Sequence, residues 1–472
     1  MWYNIKNKIC WGVYMLFVIE LFFAKIIAKL VDLIDSKRGT SFIGRNILKI
    51  DKNFVSKFKG IDKDKVVLIT GTNGKSSTTN LLTHIFEDAG EKVIANLAGA
   101  NLRSGIATCF VKNSRFSGKM KDGYIILEVD ERTLKYILDW VPAGHLVVTN
   151  IQTDQVARNG YPEYIYNMLA DHIPRDITLY LNSDEPRSKS FEDLADRVIY
   201  YGVERMPTAF SREDEFDVTQ PCPKCHSKIK FDYMNVSNLG KFHCSACDFC
   251  SETTPDYQVT GVDFRGMSAS IDDQLFHMPY KAPFMVYNYA AGVAVAKNMG
   301  LDMEKIICAF DNFKNIEGRI ETVDFAGKTL RYMRTKQENP DTLQSALDAI
   351  AADRGKKVVA MGLCTIDDWV PFYSNTFYSY DCDFSGLVEA DVEKFICFDP
   401  VTCHDIANRL IFAGCPEEKI EIISTVDPEK LLSRIAEFDS ENVYLITLLK
   451  IFHEIKEAAE LANRERGNRN DR

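Results

Sequence analysis

Residues 65–80 read KVVLITGTNGKSSTTN, and this stretch decides the fold. Lys65 to Thr70 is a short β-branched run of the kind buried inside a parallel sheet. The chain then turns at Gly71-Thr72-Asn73-Gly74 and enters a predicted helix at Lys75. A strand, a glycine turn and Lys-Ser at a helix start make a cradle for phosphate. Backbone N–H groups and the positive helix end face the anion, Lys75 neutralises it, and the Ser76 hydroxyl suits Mg2+. Gly71, Thr72, Asn73, Gly74, Lys75, Ser76 and Ser77 are therefore the candidate phosphate contacts. Ile69 stands where the common GxxxxGK[ST] pattern has its first glycine, so the loop belongs to a variant of that pattern.

Outward from this stretch, apolar β-rich runs alternate with helical patterns over about residues 45–205. Strands are predicted at 65–70, 93–95, 124–129, 146–150, 177–182 and 198–201, with helices at 75–89, 131–140 and 162–173. Such alternation implies an α/β fold with a parallel sheet, helices on both faces and ligands beyond the carboxyl ends of the strands. The pattern resumes as strands at 257–264 and 267–271 and helices at 287–298 and 303–313. A second βα series follows, with strands at 329–333, 357–361, 395–398, 420–423 and 443–446. The expected organisation is an N-terminal helical lead-in (1–44), a nucleotide-binding central domain (45–322) with an insertion at 216–255, and a smaller C-terminal α/β domain (323–462). A polar tail (463–472) is expected to be disordered. With 472 residues, several domains are the natural outcome.

The insertion carries Cys222-Pro223-Lys224-Cys225 and Cys244-Ser245-Ala246-Cys247, eighteen residues apart. Two CxxC knuckles at that spacing supply four thiolates for a tetrahedral structural Zn2+, with no position left for water. Cys250, His226 and His243 are near enough to be alternative ligands. Ile229, Phe231, Tyr233 and Phe242 fit the strands of a small ribbon, read here as a zinc-stapled insertion. The other nine of the thirteen cysteines are scattered, which fits a reducing cytoplasm. A net charge of −10 argues against a mainly nucleic-acid-binding role.

At the N-terminus, Ile9 to Ala24 is apolar except for Glu20, and Lys6 and Lys8 precede it. The run is shorter than the roughly 20 residues a spanning helix needs, and Glu20 would be costly near a bilayer centre. No small-residue cleavage site follows it. The helical period continues through Phe22, Phe23, Ile26, Ile27, Leu30, Val31 and Leu33. This predicts one long, partly amphipathic helix, lying on the inner membrane face or packed against the nucleotide domain.

The phosphate loop in its TGTNGKSS form, the acidic ILEVDE (126–131), and the downstream YNYAA (287–291) and GRIE (318–321) resemble the Mur ligase superfamily. With the four-cysteine insertion, the chain resembles the MurT-type subunit of lipid II isoglutaminyl synthase over about residues 28–450. The resemblance implies ATP as cosubstrate and Mg2+ held by Ser76 and Glu128. It implies an adenine contact from Asn288 and a phosphate contact from Arg319. NIQTDQ (150–155) resembles the N-x-x-x-D-[HQ] loop with the Gln of the MurT type, although Ala157 stands where an Asp is usual. LNSDEP (181–186) resembles LNxDDP.

In the second domain, YDCDF (380–384) resembles W-D-V-D-F, which makes Asp381 and Asp383 candidate catalytic carboxylates beside Lys75 and Glu128. DDWVPFYSN (367–375) departs from the D-G-x-D-x-S-W stretch, leaving Asp367 and Asp368 in a different register, and KQENP (336–340) only partly matches K-N-P-A-G. The activity implied is ATP-dependent amidation of the D-glutamate α-carboxylate of lipid II, with ammonia from a GatD-type glutaminase partner. A ligase of the same superfamily acting on another carboxylate or adding an amino acid, and an ATP-binding scaffold without catalysis, are the alternatives.

Overall fold

Strand β1, Val66–Thr70, is buried along its whole length because both faces of its sheet are covered. Val66 and Leu68 enter one hydrophobic core and Val67 and Ile69 the other, the alternation a strand imposes. Each such side chain contributes about 1.5–3 kcal/mol of burial free energy. This is a computed structural model, and it describes residues 2–34, 41–97, 100–211, 220–280, 282–313, 320–363 and 376–470.

The chain divides into two compact units. The first comprises Met1–Gln152, Pro162–Ser211 and Thr219–Ile316; the second comprises Thr153–Tyr161 and Glu317–Arg472, with a short piece between. In the first, β1 is followed by β2 (Val93–Ala95), β3 (Tyr124–Glu128), β4 (His145–Val148), β5 (Thr178–Asn182) and β6 (Arg197–Val203). The hairpin β7 (Ile229–Val236) and β8 (Leu239–Cys244) stands apart as a two-stranded sheet. Strands β9 (Tyr257–Asp263), β10 (Ser268–Ile271) and β11 (Gln274–His277) complete the main sheet in the order β11-β10-β9-β6-β5-β4-β1-β3-β2. From β2 to β9 neighbours run parallel, and β10 and β11 add an antiparallel edge.

Helix α1 (Trp2–Ile34) realises the predicted N-terminal helix and buries Phe17, Leu21, Ala24 and Ala28 on the first unit. The Phe17 ring lies 5.2 Å from those of both Phe54 and Phe58, and the Tyr14 hydroxyl donates to the Ser117 carbonyl at 3.0 Å. Helices α2 (Phe42–Ile50), α3 (Lys75–Asp88) and α4 (Arg103–Asn113) follow. Gly44 lets α2 touch the backbone of α4, because a Cβ there would stand 1.9 Å from the Ser104 carbonyl oxygen.

The second unit holds a six-stranded sheet. Its strands are β12 (Ile320–Phe325), β13 (Lys328–Met333), β14 (Lys357–Met361), β15 (Val392–Phe398), β16 (Ile420–Ile423) and β17 (Asn442–Ile446), in the order β12-β13-β17-β14-β15-β16. Only β12 pairs antiparallel. The polar stretch after Asn463, expected to be disordered, instead prolongs the last helix, Leu449–Asn470, whose early turns bury Phe452, Ile455 and Ala459.

Candidate active site and cysteine cluster

The phosphate loop leaves the carboxyl end of β1, and β3 and β4 pair on either side of that strand. Gly71 and Gly74 adopt φ values of 124° and 89°, a region open to glycine at little cost. A side chain at either would also collide: a Cβ on Gly71 would lie 2.2 Å from Thr149 Oγ1, and one on Gly74 2.6 Å from Asn288 Oδ1.

The loop is fixed from the β4 side. Thr72 N–H donates to the Asn150 carbonyl at 2.8 Å and Asn73 N–H to Asn150 Oδ1 at 2.9 Å. Thr149 Oγ1 donates to the Asn73 carbonyl at 2.7 Å, and the Asn73 amide donates to Gln152 Oε1 at 2.9 Å. Gln152 N–H in turn donates to Thr72 Oγ1 at 2.9 Å. These contacts exist because β4 ends at Val148, two residues before the predicted end, which frees Thr149 and Asn150 for the loop. Sequence reasoning marked Asn150 as part of a motif and assigned no role to Thr149 or Gln152.

Lys75, the first residue of α3, is buried, and its ammonium donates to Glu131 Oε1 at 2.8 Å, to the Thr72 carbonyl at 3.2 Å and to the Gly71 carbonyl. Burial pushes the Glu131 carboxyl above its ordinary pKa, and the Lys75 charge opposes that rise. The helix predicted from residue 131 starts instead at Leu134, so Glu131 sits in the preceding turn. The pairing joins residues 56 positions apart, and no local pattern announces it. Ser76 is exposed at the helix start, and Ser77 is buried.

Glu128 ends β3 and pairs in register with Ile69. It is buried; Asn101 donates to its Oε1 at 2.8 Å, and Asn96 both accepts its N–H and donates to its carbonyl at 2.8 Å. Asn288, on the helix Pro283–Asn298, accepts from Thr78 Oγ1 at 3.2 Å and so braces the loop at Gly74. Next to it, Tyr287 donates to Asp184 Oδ2 at 3.0 Å, and Asp184 accepts Val203 N–H at 2.9 Å. Glu185 accepts the N–H groups of Ile151, Arg187 and Ser188. The acidic pair of LNSDEP thus shapes the ends of β4, β5 and β6; burial raises both carboxyl pKa values.

In the second unit, Gln155 N–H donates to the Glu338 carbonyl at 3.1 Å and Asn339 Nδ2 to Asp154 Oδ1 at 3.0 Å, while Asn339 Oδ1 caps the helix Pro340–Ala352. Asp383 Oδ1 accepts both N–H and hydroxyl of Ser385, at 2.9 and 2.6 Å, and so closes the turn before the helix Ser385–Glu389. Asp381 is exposed on the same loop. Arg319, Asp367 and Asp368 lie outside the described residues.

The four sulfurs of Cys222, Cys225, Cys244 and Cys247 lie within 4.8 Å of one another. Cys222 and Cys247 are 3.8 Å apart and Cys225 and Cys244 3.4 Å. Four ligands at the Zn–S length of about 2.3 Å would stand about 3.8 Å apart in a tetrahedron, so the set fits zinc. The N–H and hydroxyl of Ser227 hold the Cys225 thiol down to about 6, whereas burial pushes the Cys222 thiol up. Cys250, His226 and His243 are not in the cluster. The hairpin is tied to the phosphate loop: Gln152 Nε2 donates to the Ser237 carbonyl at 3.1 Å.

Residues 69–246 match the family model of the Mur ligase middle domain, and residues 337–448 match that of the MurT ligase C-terminal domain. The chain is 29% identical over 437 residues to the lipid II isoglutaminyl synthase (glutamine-hydrolyzing) subunit MurT of Streptococcus pneumoniae, covering 91% of this chain and 93% of that one. It is 28% identical to the subunit of the same name from Staphylococcus aureus strain COL, covering 76% and 80%. Among solved structures, a pseudomurein peptide ligase type C from Methanothermus fervidus superposes with a TM-score of 0.66 at 18% identity, over 87% of this chain and 81% of that one. MurF ligase of Thermotoga maritima in complex with ADP superposes at 0.55 with 14% identity, over 91% and 85%. These last two likenesses concern the fold.

Proposed function

The chain belongs to the Mur ligases of the MurT type and is an ATP-dependent ligase, and from that premise we propose that it amidates the D-glutamate α-carboxylate of the lipid II stem peptide to D-isoglutamine. The observation that carries this reading is the rigid phosphate loop with Lys75 buried at its centre. A carboxylate is a poor acylating agent. Attack of its oxygen on the γ-phosphorus of ATP releases ADP and leaves an acyl phosphate; ammonia then attacks the carbonyl carbon, and phosphate leaves.

The chain's own groups have defined tasks in the first step. The N–H groups at the start of α3 and the Lys75 ammonium bind the phosphates, with Lys75 exchanging Glu131 for phosphate oxygen as nucleotide arrives. Asn288 lines the adenine side, and Arg319 adds a phosphate contact. Ser76 and Glu128 would hold Mg2+, which would supply charge neutralisation on the phosphates. Cys222, Cys225, Cys244 and Cys247 would hold a structural zinc, which would fix the hairpin against Gln152. Asp381 and Asp383 are proposed to act in the amidation half, on the second unit. Ammonia comes from a GatD-type glutaminase subunit, and because the substrate is carried on a lipid, the enzyme works at the inner membrane face.

ADP release by the purified chain tests the reading, with lipid II and ammonium, and with or without a GatD-type glutaminase and glutamine. Turnover that needs lipid II, is met by ammonium, and responds to glutamine only when the partner is present is the expected result. Stimulation by an amino acid in place of ammonium would instead favour the amino-acid-adding alternative. The departure of residues 367–375 from the MurT pattern keeps that second reading in play. Nucleotide binding without turnover on any of these substrates would overturn the amidation reading.

A further inference from the structure

The outward face of α1 is unlike the rest of the surface. Nine apolar side chains between Met15 and Leu33 are each at least 40% exposed, among them Phe22, Phe23, Ile26 and Leu30. At 3.6 residues per turn they cover about 140° of the helix, opposite the buried face of Phe17, Leu21, Ala24 and Ala28, and they run for about 27 Å. Phe116, on the loop after α4, is 53% exposed and extends the strip, its ring 5.8 Å from that of Phe22. That loop is seated on the helix: Gly118 leaves room for the Phe17 ring, which a Cβ there would meet at 2.4 Å, and Lys25 Nζ donates to the carbonyls of Val111 and Ser114. A contiguous apolar surface of this extent is rare on a soluble monomer unless something covers it.

The charge around the strip says what covers it. Residues 1–60 hold eleven lysines and arginines against four carboxylates, a net of +7 in a chain whose total is −10. Lys29 is exposed at the edge of the strip, and Lys112, Arg115, Lys119 and Lys121 flank Phe116. A second copy docking by two-fold symmetry would bring this basic rim against itself, at an electrostatic cost. An anionic surface would neutralise it. Among the described residues no helix is long and apolar enough to cross a membrane.

We propose that α1 and the Phe116 loop form an in-plane docking surface for a bilayer containing anionic phospholipid. The apolar strip enters the headgroup–acyl boundary, and the lysines and arginines contact lipid phosphates. This rests on the reading that the substrate is lipid-borne: the helix would hold the nucleotide-binding unit at the surface where that substrate lies.

The test is co-sedimentation of the full chain with vesicles lacking lipid II. Binding is expected with equal parts phosphatidylcholine and phosphatidylglycerol. It should weaken roughly tenfold or more in pure phosphatidylcholine or high salt. The variant F23S/I26S/L30S should lose binding, while K29E/K119E, with the apolar strip intact, should weaken it on anionic vesicles. Both should retain wild-type melting temperature and wild-type ADP release with lipid II in detergent micelles. Absence of binding to anionic vesicles would overturn the proposal. So would equal binding by both variants, or a stable dimer that F23S/I26S/L30S converts to monomer. Micellar turnover without vesicle binding would sink the docking surface alone; vesicle binding without micellar turnover would sink the amidation reading alone.

Discussion

Lys75 in the first unit and Arg409 in the second are both buried cations beneath a loop, and their partners differ. Lys75 donates to the Glu131 carboxylate and to two carbonyls of a glycine turn. Arg409 donates from Nε to the Ser379 carbonyl at 3.0 Å and from a terminal nitrogen to the Cys382 carbonyl at 2.5 Å. Its guanidinium lies 4.5 Å from the Phe384 ring centre and 5.3 Å from that of Tyr380. The loop under Arg409, which carries Asp381 and Asp383, is held by contacts that need nothing further. The pair at Lys75 is built from an exchangeable anion, and a phosphate can take the place of Glu131. A buried cation held by carbonyls and rings is architectural, whereas one that pairs with a carboxylate at a helix start is poised to trade that anion for another.

Four substitutions would break or sharpen this contrast. Lys75→Ala should lower ADP release by roughly a thousandfold, as expected when a charge that stabilises the transition state is lost. It should leave melting temperature and zinc content near wild type, because Glu131 can take up a proton once its partner is gone. Arg409→Leu should do the reverse: about 3 kcal/mol of stability lost in denaturant titration, from the loss of two buried hydrogen bonds to the Ser379 and Cys382 carbonyls, with nucleotide affinity unchanged.

Cys225→Ser should reduce bound zinc on metal analysis and lower the melting temperature by several degrees. It should also raise the KM for ATP modestly, because Ser237 would hold Gln152 less firmly.

Glu131→Gln is the smallest effect and the most telling. With the competing anion gone, ATP affinity should rise about fivefold, equivalent to ~1 kcal/mol, by calorimetry. Glu131 has a folded pKa above its unfolded value. Its contribution to stability is therefore full below the unfolded pKa of 4.5 and is lost as pH rises through the folded value. The Gln variant should lose that component, so the difference between the two stability profiles should open as pH rises above 4.5. A constant difference would mean that Glu131 is not the titrating partner.

Much of the first unit was legible because its signals are local. The β-branched runs gave the strands to within a few residues, and the glycines at 71 and 74 announced backbone conformations that the structure adopts. Cysteine spacing predicted a cluster that the hairpin brings together. What stayed hidden depends on residues far apart in the chain. Glu131 meets Lys75, and Gln152 bridges the loop to Ser237, through pairings that no period encodes. Helix α4 was missed because it is buried on most sides and interrupted by Gly105, so its apolar residues show no clean helical stripe. Gly105 is needed there, since a Cβ would stand 2.1 Å from the Ala100 carbonyl oxygen. The N-terminal helix was legible as amphipathic, and of the two options its sequence leaves open, domain packing is the one its buried Phe17, Leu21, Ala24 and Ala28 display.

The brace at Gly74 has a consequence for how the molecule comes into being. Asn288, whose side chain abuts that glycine, is synthesised more than two hundred residues after it. A nascent or clipped chain ending before the helix Pro283–Asn298 would carry every glycine and lysine of the loop and still lack its far wall. Such fragments should bind nucleotide poorly, which would spare a growing cell from half-made enzyme that ties up ATP.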